Sequence, residues 1–116
     1  MGKINSRNKG AVAEREVAKL LRSQGHTEAR RGQQYSGIGQ ADVIGVKGIH
    51  LEIKRQERVQ DEQWLKQSER DAKNEIPVVM YRRNHEQWKI LIRQDLADLI
   101  WQTLTDEQKD YIIKSL

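Results

Sequence analysis

The sequence contains no cysteine. This absence excludes disulfide bonds and metal sites built on thiolates. The chain also lacks any apolar run approaching the roughly 20 residues that a membrane-spanning helix needs, and its N-terminus has no signal-peptide core. We therefore expect no membrane partner. The protein is expected to be soluble and intracellular.

Large apolar side chains are scarce as well. Phenylalanine is absent, and aromatic residues make up 5% of a chain whose hydrophobic content is 36%. Charged residues reach 33%, which predicts a modest core under an extensive polar surface. Trp64, Trp88 and Trp101 are accordingly expected to supply core bulk or dimer contacts. The 116 residues suffice for one domain, residues 1–116, but not for two.

Positive charge is concentrated near the N-terminus. Residues 1–31 contain eight Lys or Arg against three Glu, whereas the remaining residues contain 13 basic against 14 acidic side chains. An N-terminal bias of this kind suggests a polyanionic partner, of which nucleic acid is the simplest. On charge alone, a basic surface that merely aids solubility is an open alternative.

Hydrophobic periodicity and turn residues predict the order of the elements. The order of helices and strands predicts an α/β fold with a central mixed β-sheet flanked by helices. Residues 1–8 are polar and basic and are expected to be flexible. The predicted helices are 9–23, ended by Gly25, then 61–74, 95–104 and a last one capped by Thr105; the predicted strands are 27–31, 41–46, 49–54, 77–81 and 88–92.

The hairpin formed by strands 41–46 and 49–54 carries two carboxylates and a lysine. A Lys47-Gly48 turn joins its strands. In the second strand, the period of two directs odd-numbered residues toward the core and places Glu52, Lys54 and His50 on the opposite face. The hairpin brings Asp42 beside Glu52. Two neighbouring carboxylates repel each other unless a cation lies between them.

This arrangement fits phosphodiester hydrolysis. Mg²⁺ prefers oxygen ligands and keeps several waters, and a water with a lowered pKa can attack a phosphodiester while the metal and Lys54 neutralise developing charge. For the hairpin alone, an exposed strand face carrying charge remains the alternative, because Glu-x-Lys is common in sheets. A hard cation seldom recruits imidazole, so His50 is interpreted as a surface residue or a supporting residue of the site.

Glu14 offers a third carboxylate. Its spacing from Val17 and Leu21 places it at the border of the apolar stripe of the first helix. A carboxylate there is costly unless it finds a partner, which a metal site, Arg15 or another basic side chain could provide. Glu16 is predicted to face solvent, although a small rotation of the helix would exchange the two glutamates.

Together these residues resemble the archaeal-type Holliday junction resolvases of the PD-(D/E)xK nuclease superfamily. The similarity covers about the first half of the chain and keeps the order and spacing of all four catalytic positions. It departs at Ala41, where a proline that is poorly kept across the superfamily would stand. The compact length and the basic N-terminal half are typical of a phage or prophage member. The matching segments are Lys9-Gly10-Ala11-Val12-Ala13-Glu14-Arg15-Glu16-Val17, Gly25, Arg30, Ser36-Gly37, Asp42-Val43-Ile44-Gly45 and Glu52-Ile53-Lys54.

The resemblance implies a restriction-endonuclease-like core and assigns roles by position. Asp42, Glu52 and the Ile53 carbonyl would bind Mg²⁺, for which Mn²⁺ would substitute, with Glu14 completing the outer side. Lys54 would orient the attacking water or stabilise the transition state, and Ser36 would lie in a mobile loop near the scissile phosphate. Gln67 resembles a glutamine beside the active site, but a polar residue on a solvated helix face fits it equally well. The predicted DNA contacts are Lys9, Arg15, Arg30, Arg31, Ser36 and Gln67, and Arg82 and Arg83 are further candidates for phosphate contacts.

The sequence thus predicts a Mg²⁺-dependent, structure-selective DNA endonuclease, a homodimeric resolvase of four-way junctions without a small-molecule cofactor. Symmetric cuts in opposing strands need two active sites related by a two-fold axis. Two alternatives remain: a nuclease of the same fold acting on flap, nicked or duplex DNA, and a non-catalytic DNA-binding module whose carboxylates form surface salt bridges. The predicted dimer interface is apolar and lies on the last two helices, at residues such as Leu99, Ile100, Trp101 and Ile112.

Overall fold

The computed structural model describes residues 6–32 and 41–116. None of the described helices is both long enough and apolar enough to cross a membrane. In chain order the elements are α1 (Ser6–Ser23), β1 (Arg30–Arg31), β2 (Val43–Ile44), β3 (Ile49–Arg55), α2 (Asp61–Ala72), β4 (Ile76–Arg82), β5 (Lys89–Leu91), α3 (Gln94–Thr103) and α4 (Asp106–Ser115).

The described strands form one five-stranded mixed sheet in the order β1-β2-β3-β4-β5. Among the described strand pairs only β3–β4 is parallel, running from Ile49 opposite Ile76 to Arg55 opposite Arg82, and α2 supplies the crossover that a parallel pair requires. The other neighbouring strands are antiparallel. The predicted α/β fold with a central mixed sheet flanked by helices is confirmed, and β3 is its middle strand.

Helices cover both faces of the sheet. On one face the core cluster joins Val17 of α1 to Val43, Leu51 and Ile53. On the other, Trp64 and Leu65 of α2 pack with Val79 of β4. The central strand is therefore buried on both sides, with His50 and Glu52 as well as Leu51 and Ile53 largely removed from solvent. A middle strand next to a crossover helix has no exposed face, which corrects the alternative of a solvated strand face.

Helix α1 ends as predicted but begins earlier. Gly25 adopts φ +103°, and the His26 amide donates to the Leu21 carbonyl at 2.9 Å, which is the glycine-dependent stop expected for this position. The helix starts at Ser6 instead of Lys9, so residues 6–8 are helical and not loose. Apolar periodicity gives no signal in a polar first turn. Residues 1–5 of the predicted flexible segment lie outside the described residues.

Two glycines let the segment around β1 approach β2 closely. A Cβ on Gly45 would lie 2.0 Å from the Glu28 carbonyl oxygen, and one on Gly32 would lie 2.3 Å from the Ala41 carbonyl oxygen. Gly45 also has a φ of +94°, so the backbone leaves the strand geometry there. The predicted strands 27–31 and 41–46 are for this reason too long: their paired parts are β1 and β2, two residues each.

Helices α3 and α4 bury no residue. The predicted Thr105 cap is confirmed: its side chain accepts from the Gln108 amide, and the Gln108 side chain accepts from the Thr105 amide. The tryptophan prediction holds in part. Trp64 is buried and Trp88 packs against the α1 cluster, whereas Trp101 is 43% exposed and contributes nothing to the core.

Candidate active site

Asp42 stands immediately before β2 and is held to β3 in two ways. Its backbone amide donates to the Leu51 carbonyl at 2.9 Å. Its Oδ2 accepts from the Ile53 amide at 2.8 Å. Because backbone and side chain are both fixed to the central strand, the carboxyl group has a set position beside Glu52.

The carboxyl groups of Asp42 and Glu52 lie next to each other, and the protonation of each affects the pKa of the other. Burial, followed by the negative charge of Glu52, raises the pKa of Asp42 to about 6, although the Ile53 amide acts in the opposite direction. Burial also raises the pKa of Glu52 against the effects of Asp42 and Lys54. A buried pair of this kind needs a proton or a metal cation between its oxygens.

His50 is buried instead of lying on the surface, with 1% of its area exposed. Its Nε2 lies 2.8 Å from Glu52 Oε1, and its Nδ1 lies 3.9 Å from Glu75 Oε1. The surface interpretation of His50 was wrong because β3 is covered on the α2 side. The contact orients the Glu52 carboxylate through a ring that has no room to move.

The Lys54 side chain is held by a contact with α2. Its Nζ donates to Gln67 Oε1 at 3.1 Å, and both side chains are half-buried. The ammonium group lies close enough to lower the pKa of both Asp42 and Glu52. The structure thus brings Gln67 next to the predicted catalytic lysine, where it limits the directions that the ammonium group can take.

Glu14 is buried, and its Oε2 accepts from Arg31 Nε at 2.6 Å. Burial raises the pKa of Glu14, opposed first by the hydrogen bond from Arg31, and the charge of Asp42 raises it further. Glu16 is the more exposed glutamate, at 41% against 10% for the side chain of Glu14, as predicted. Glu14 is thus near the carboxyl pair, but Arg31 engages it.

The described residues contain no group of three His, Asp or Glu side chains that could hold a metal ion. Glu14 as an outer metal ligand stays a prediction, and in this part of the chain its carboxylate accepts from Arg31. The geometry is consistent with the other predicted metal ligands, which are Asp42, Glu52 and the Ile53 carbonyl. The Ile53 amide points to Asp42, and the carbonyl of a strand residue points to the same side as its amide. Two carboxylates, one carbonyl and waters are ligands that suit a hard divalent cation.

The predicted DNA contacts fall into different environments. Arg15 and Arg30 are exposed, and Arg30 Nη1 donates to a backbone carbonyl at 3.1 Å. Lys9 is half-buried near the start of α1. Arg31 is committed to Glu14, so its contact with DNA would compete with a short ion pair. Ser36 lies outside the described residues.

The two candidate phosphate contacts in the second half are engaged by glutamates. Arg82 Nε donates to Glu16 Oε1 at 3.0 Å, and its guanidinium lies 5.3 Å from the centre of the Trp88 ring. Arg83 Nε donates to Glu86 Oε1 at 2.7 Å. The sequence did not predict these partners, since Glu16 and Arg82 are 66 positions apart.

Comparison with known sequences agrees with this geometry. The model of the family described as "Phage putative PDDEXK endonuclease" matches residues 5–116. No curated protein and no solved structure matches the chain. Because the match spans both the α1 segment and the Asp42–Lys54 hairpin and continues to the last residue, the chain belongs to the phage PDDEXK endonuclease family.

Proposed function

We propose that this protein is a Mg²⁺-dependent endonuclease that cuts branched DNA, with the four-way junction as its substrate. Membership of the family implies nuclease activity, and PDDEXK nucleases generally use divalent metals. The observation that carries the metal dependence is the Asp42–Glu52 pair. Glu52 is buried and Asp42 is half-buried, and both carboxyl groups have raised pKa values, so a divalent cation would relieve a repulsion that otherwise requires a proton.

The residues of the hairpin have separate roles in this proposal. Asp42, Glu52 and the Ile53 carbonyl would hold the cation, which would supply an activated water and charge neutralisation. Lys54, directed by Gln67, donates to a phosphate oxygen on which negative charge develops. His50 keeps Glu52 in the orientation that this requires. The ion pair between Glu14 and Arg31 balances charge beside the Asp42–Glu52 pair.

DNA binding is proposed for the basic side chains around α1. Lys9, Arg15 and Arg30 lie within the N-terminal third, where positive charge is in excess. Phosphate contacts position a nucleic acid without reading its sequence. Selectivity for a branched structure is therefore the expected form of specificity, and it is supported by the resemblance of the first half of the chain to junction resolvases.

A homodimer is proposed because paired cuts need two active sites. The two last helices offer an apolar surface, and no residue of either helix is buried. Its exposed members include Leu99, Ile100, Trp101 and Ile112. Sedimentation of the protein with Ile112→Lys, compared with Lys114→Glu as a polar control on the same helix, tests this surface: only the first change should yield a monomer.

The function is tested with a set of synthetic DNAs that share the same arm sequences. Four-way junction, flap, nicked and linear duplex DNA are incubated with Mg²⁺, Mn²⁺ or EDTA. We expect paired cuts in the junction with either metal ion and none in EDTA. Faster cutting of flap, nicked or linear DNA would show that the four-way junction is not the preferred substrate, while the assignment as a nuclease would stand. Binding without cutting in any metal would favour the DNA-binding module.

A further inference from the structure

A groove lies on the α1 side of the sheet, at the carboxyl ends of β3 and β4. It encloses about 520 Å³, and its polar lining includes Lys9, Glu16, Arg55, Arg82 and Asn84. Three of these side chains are cationic and one is anionic. The groove therefore has a surplus of positive charge, which is suited to an anionic ligand.

Two arginines stand side by side in this groove. Arg55 of β3 and Arg82 of β4 are direct partners in the parallel register, so their side chains lie on the same face. Adjacent like charges on one sheet face repel each other. Glu16 is occupied by Arg82, with Oε1 and Oε2 accepting at 3.0 and 3.2 Å. Among the described residues, no carboxylate forms a salt bridge with Arg55.

The guanidinium of Arg55 is only partly satisfied. Its Nη2 donates to Asn84 Oδ1. Its Nη1 is shielded from solvent and has no hydrogen-bond partner in the part of the chain that the structure describes. A buried donor without an acceptor costs free energy, and phosphate oxygens are strong acceptors for the forked donors of arginine.

The start of α1 adds a second source of positive potential. The helix begins at Ser6, has no acidic residue in its first turn, and carries Lys9 into the groove. The positive end of a helix dipole favours anions, and its effect is largest within the first turn. The guanidinium pair, Lys9 and the helix end thus act in the same direction.

The groove lies on the sheet face opposite Lys54. Lys54 and Arg55 are consecutive in β3 and project to opposite faces, so both lie at the same end of the strand. We propose that the groove binds a phosphodiester of the DNA backbone other than the one that is cut, with Arg55 as its main contact and Lys9 and Arg82 as supporting cations. This inference rests on the proposed function, because the ligand is part of the proposed substrate.

The test measures binding of four-way and linear DNA by the full chain in EDTA, at several salt concentrations. Arg55→Gln is compared with Lys47→Gln, which removes one positive charge from the exposed turn at the opposite end of β3. Arg55→Gln should weaken binding roughly tenfold. It should reduce the slope of log K against log salt by about 0.9 on duplex arms, as for one lost phosphate contact. Lys47→Gln should change neither.

Two further variants protect the test against a folding defect. Arg55→Lys keeps the charge and should retain the salt slope while losing part of the affinity. Lys9→Gln alters a side chain near the helix start and should reduce the slope in the same direction as Arg55→Gln. Thermal unfolding of each variant identifies any that fail to fold, and the folded ones decide the result.

The outcomes separate this inference from the proposed function. If the parent binds and cuts DNA but Arg55→Gln and Lys9→Gln behave like Lys47→Gln, the groove assignment is overturned and the nuclease stands. If the parent binds DNA without cutting it and Arg55→Gln still lowers the slope, the groove stands and the catalytic proposal fails. A parent that does not bind DNA overturns both.

Discussion

The Ile53 amide donates to Asp42 Oδ2 at 2.8 Å across the β2–β3 hairpin, which holds the Asp42 carboxyl group beside that of Glu52. This relationship keeps two carboxyl groups together in a largely buried position. Such an arrangement lowers the stability of the metal-free protein when both groups ionise. Strain of this kind is common where a site is organised for a ligand instead of for folding.

The first prediction concerns the pH dependence of stability without metal. The pKa of Asp42 is about 6 in the folded protein against an ordinary value of 3.8. Between these two pH values the folded state binds more protons than the unfolded state. The contribution of Asp42 to the free energy of unfolding is therefore fully present below pH 4 and is lost as the pH rises through 6. The free energy of unfolding in EDTA should fall by up to about 3 kcal/mol over this interval owing to Asp42.

Urea denaturation of the parent and of Asp42→Asn, measured between pH 4 and pH 8, checks this prediction. The asparagine side chain can still accept from the Ile53 amide and donate to Glu52. The free energy of unfolding of the variant should therefore decrease much less with rising pH, and the variant should be more stable than the parent at pH 7. Identical pH profiles for the two proteins would show that Asp42 does not carry the raised pKa.

The second prediction concerns His50, whose ring contacts Glu52 in the covered face of β3. His50→Ala should lower stability by about 2–4 kcal/mol, since it leaves a cavity and an unpaired carboxylate. It should also weaken Mn²⁺ binding roughly 10–100-fold, as expected when the partner of a metal ligand is removed. Calorimetric titration with Mn²⁺ measures this effect apart from cleavage.

A matched variant separates positioning from packing. His50→Gln retains a hydrogen-bond donor for Glu52 and should recover most of the Mn²⁺ affinity even if stability remains reduced. If alanine and glutamine weaken Mn²⁺ binding equally, or if neither does, His50 is a packing residue only.

The third prediction concerns the contact between Lys54 and Gln67. Gln67→Ala should slow cleavage about tenfold by releasing the ammonium group from its set direction, while DNA affinity changes little. Gln63→Ala is the control, because Gln63 is an exposed residue of the same helix. Single-turnover cleavage and binding in EDTA are the two measurements. Equal cleavage rates for the two variants would show that Gln67 is an ordinary polar residue of α2 and does not position Lys54.

Local features of this fold could be predicted from the sequence. The Lys47-Gly48 turn, the stop at Gly25 and the Thr105 cap each depend on a few neighbouring residues, and all three are present. The Asp42–Glu52 pairing also follows from one hairpin. Its turn and alternation are local signals.

Features that depend on distant parts of the chain could not be predicted in this way. The burial of His50 arises because α2 and β4 enclose β3, and the pairing of Glu14 with Arg31 joins residues 17 positions apart. Trp101 and Trp64 are the same type of residue, but within the described part of the chain no residue of α3 is buried. Sequence spacing does not determine which element packs on which, so these contacts required the structure.

The central claim is that the Asp42–Glu52 hairpin is the catalytic site. Its most direct test is cleavage of a four-way junction in Mg²⁺ by Asp42→Asn and Glu52→Gln, beside the exposed α3 control Asp98→Asn. Both site variants should lose roughly 10²–10³-fold in rate and still bind the junction within a few-fold of the parent, while Asp98→Asn cuts normally. Cleavage at the parent rate by either site variant would contradict the account.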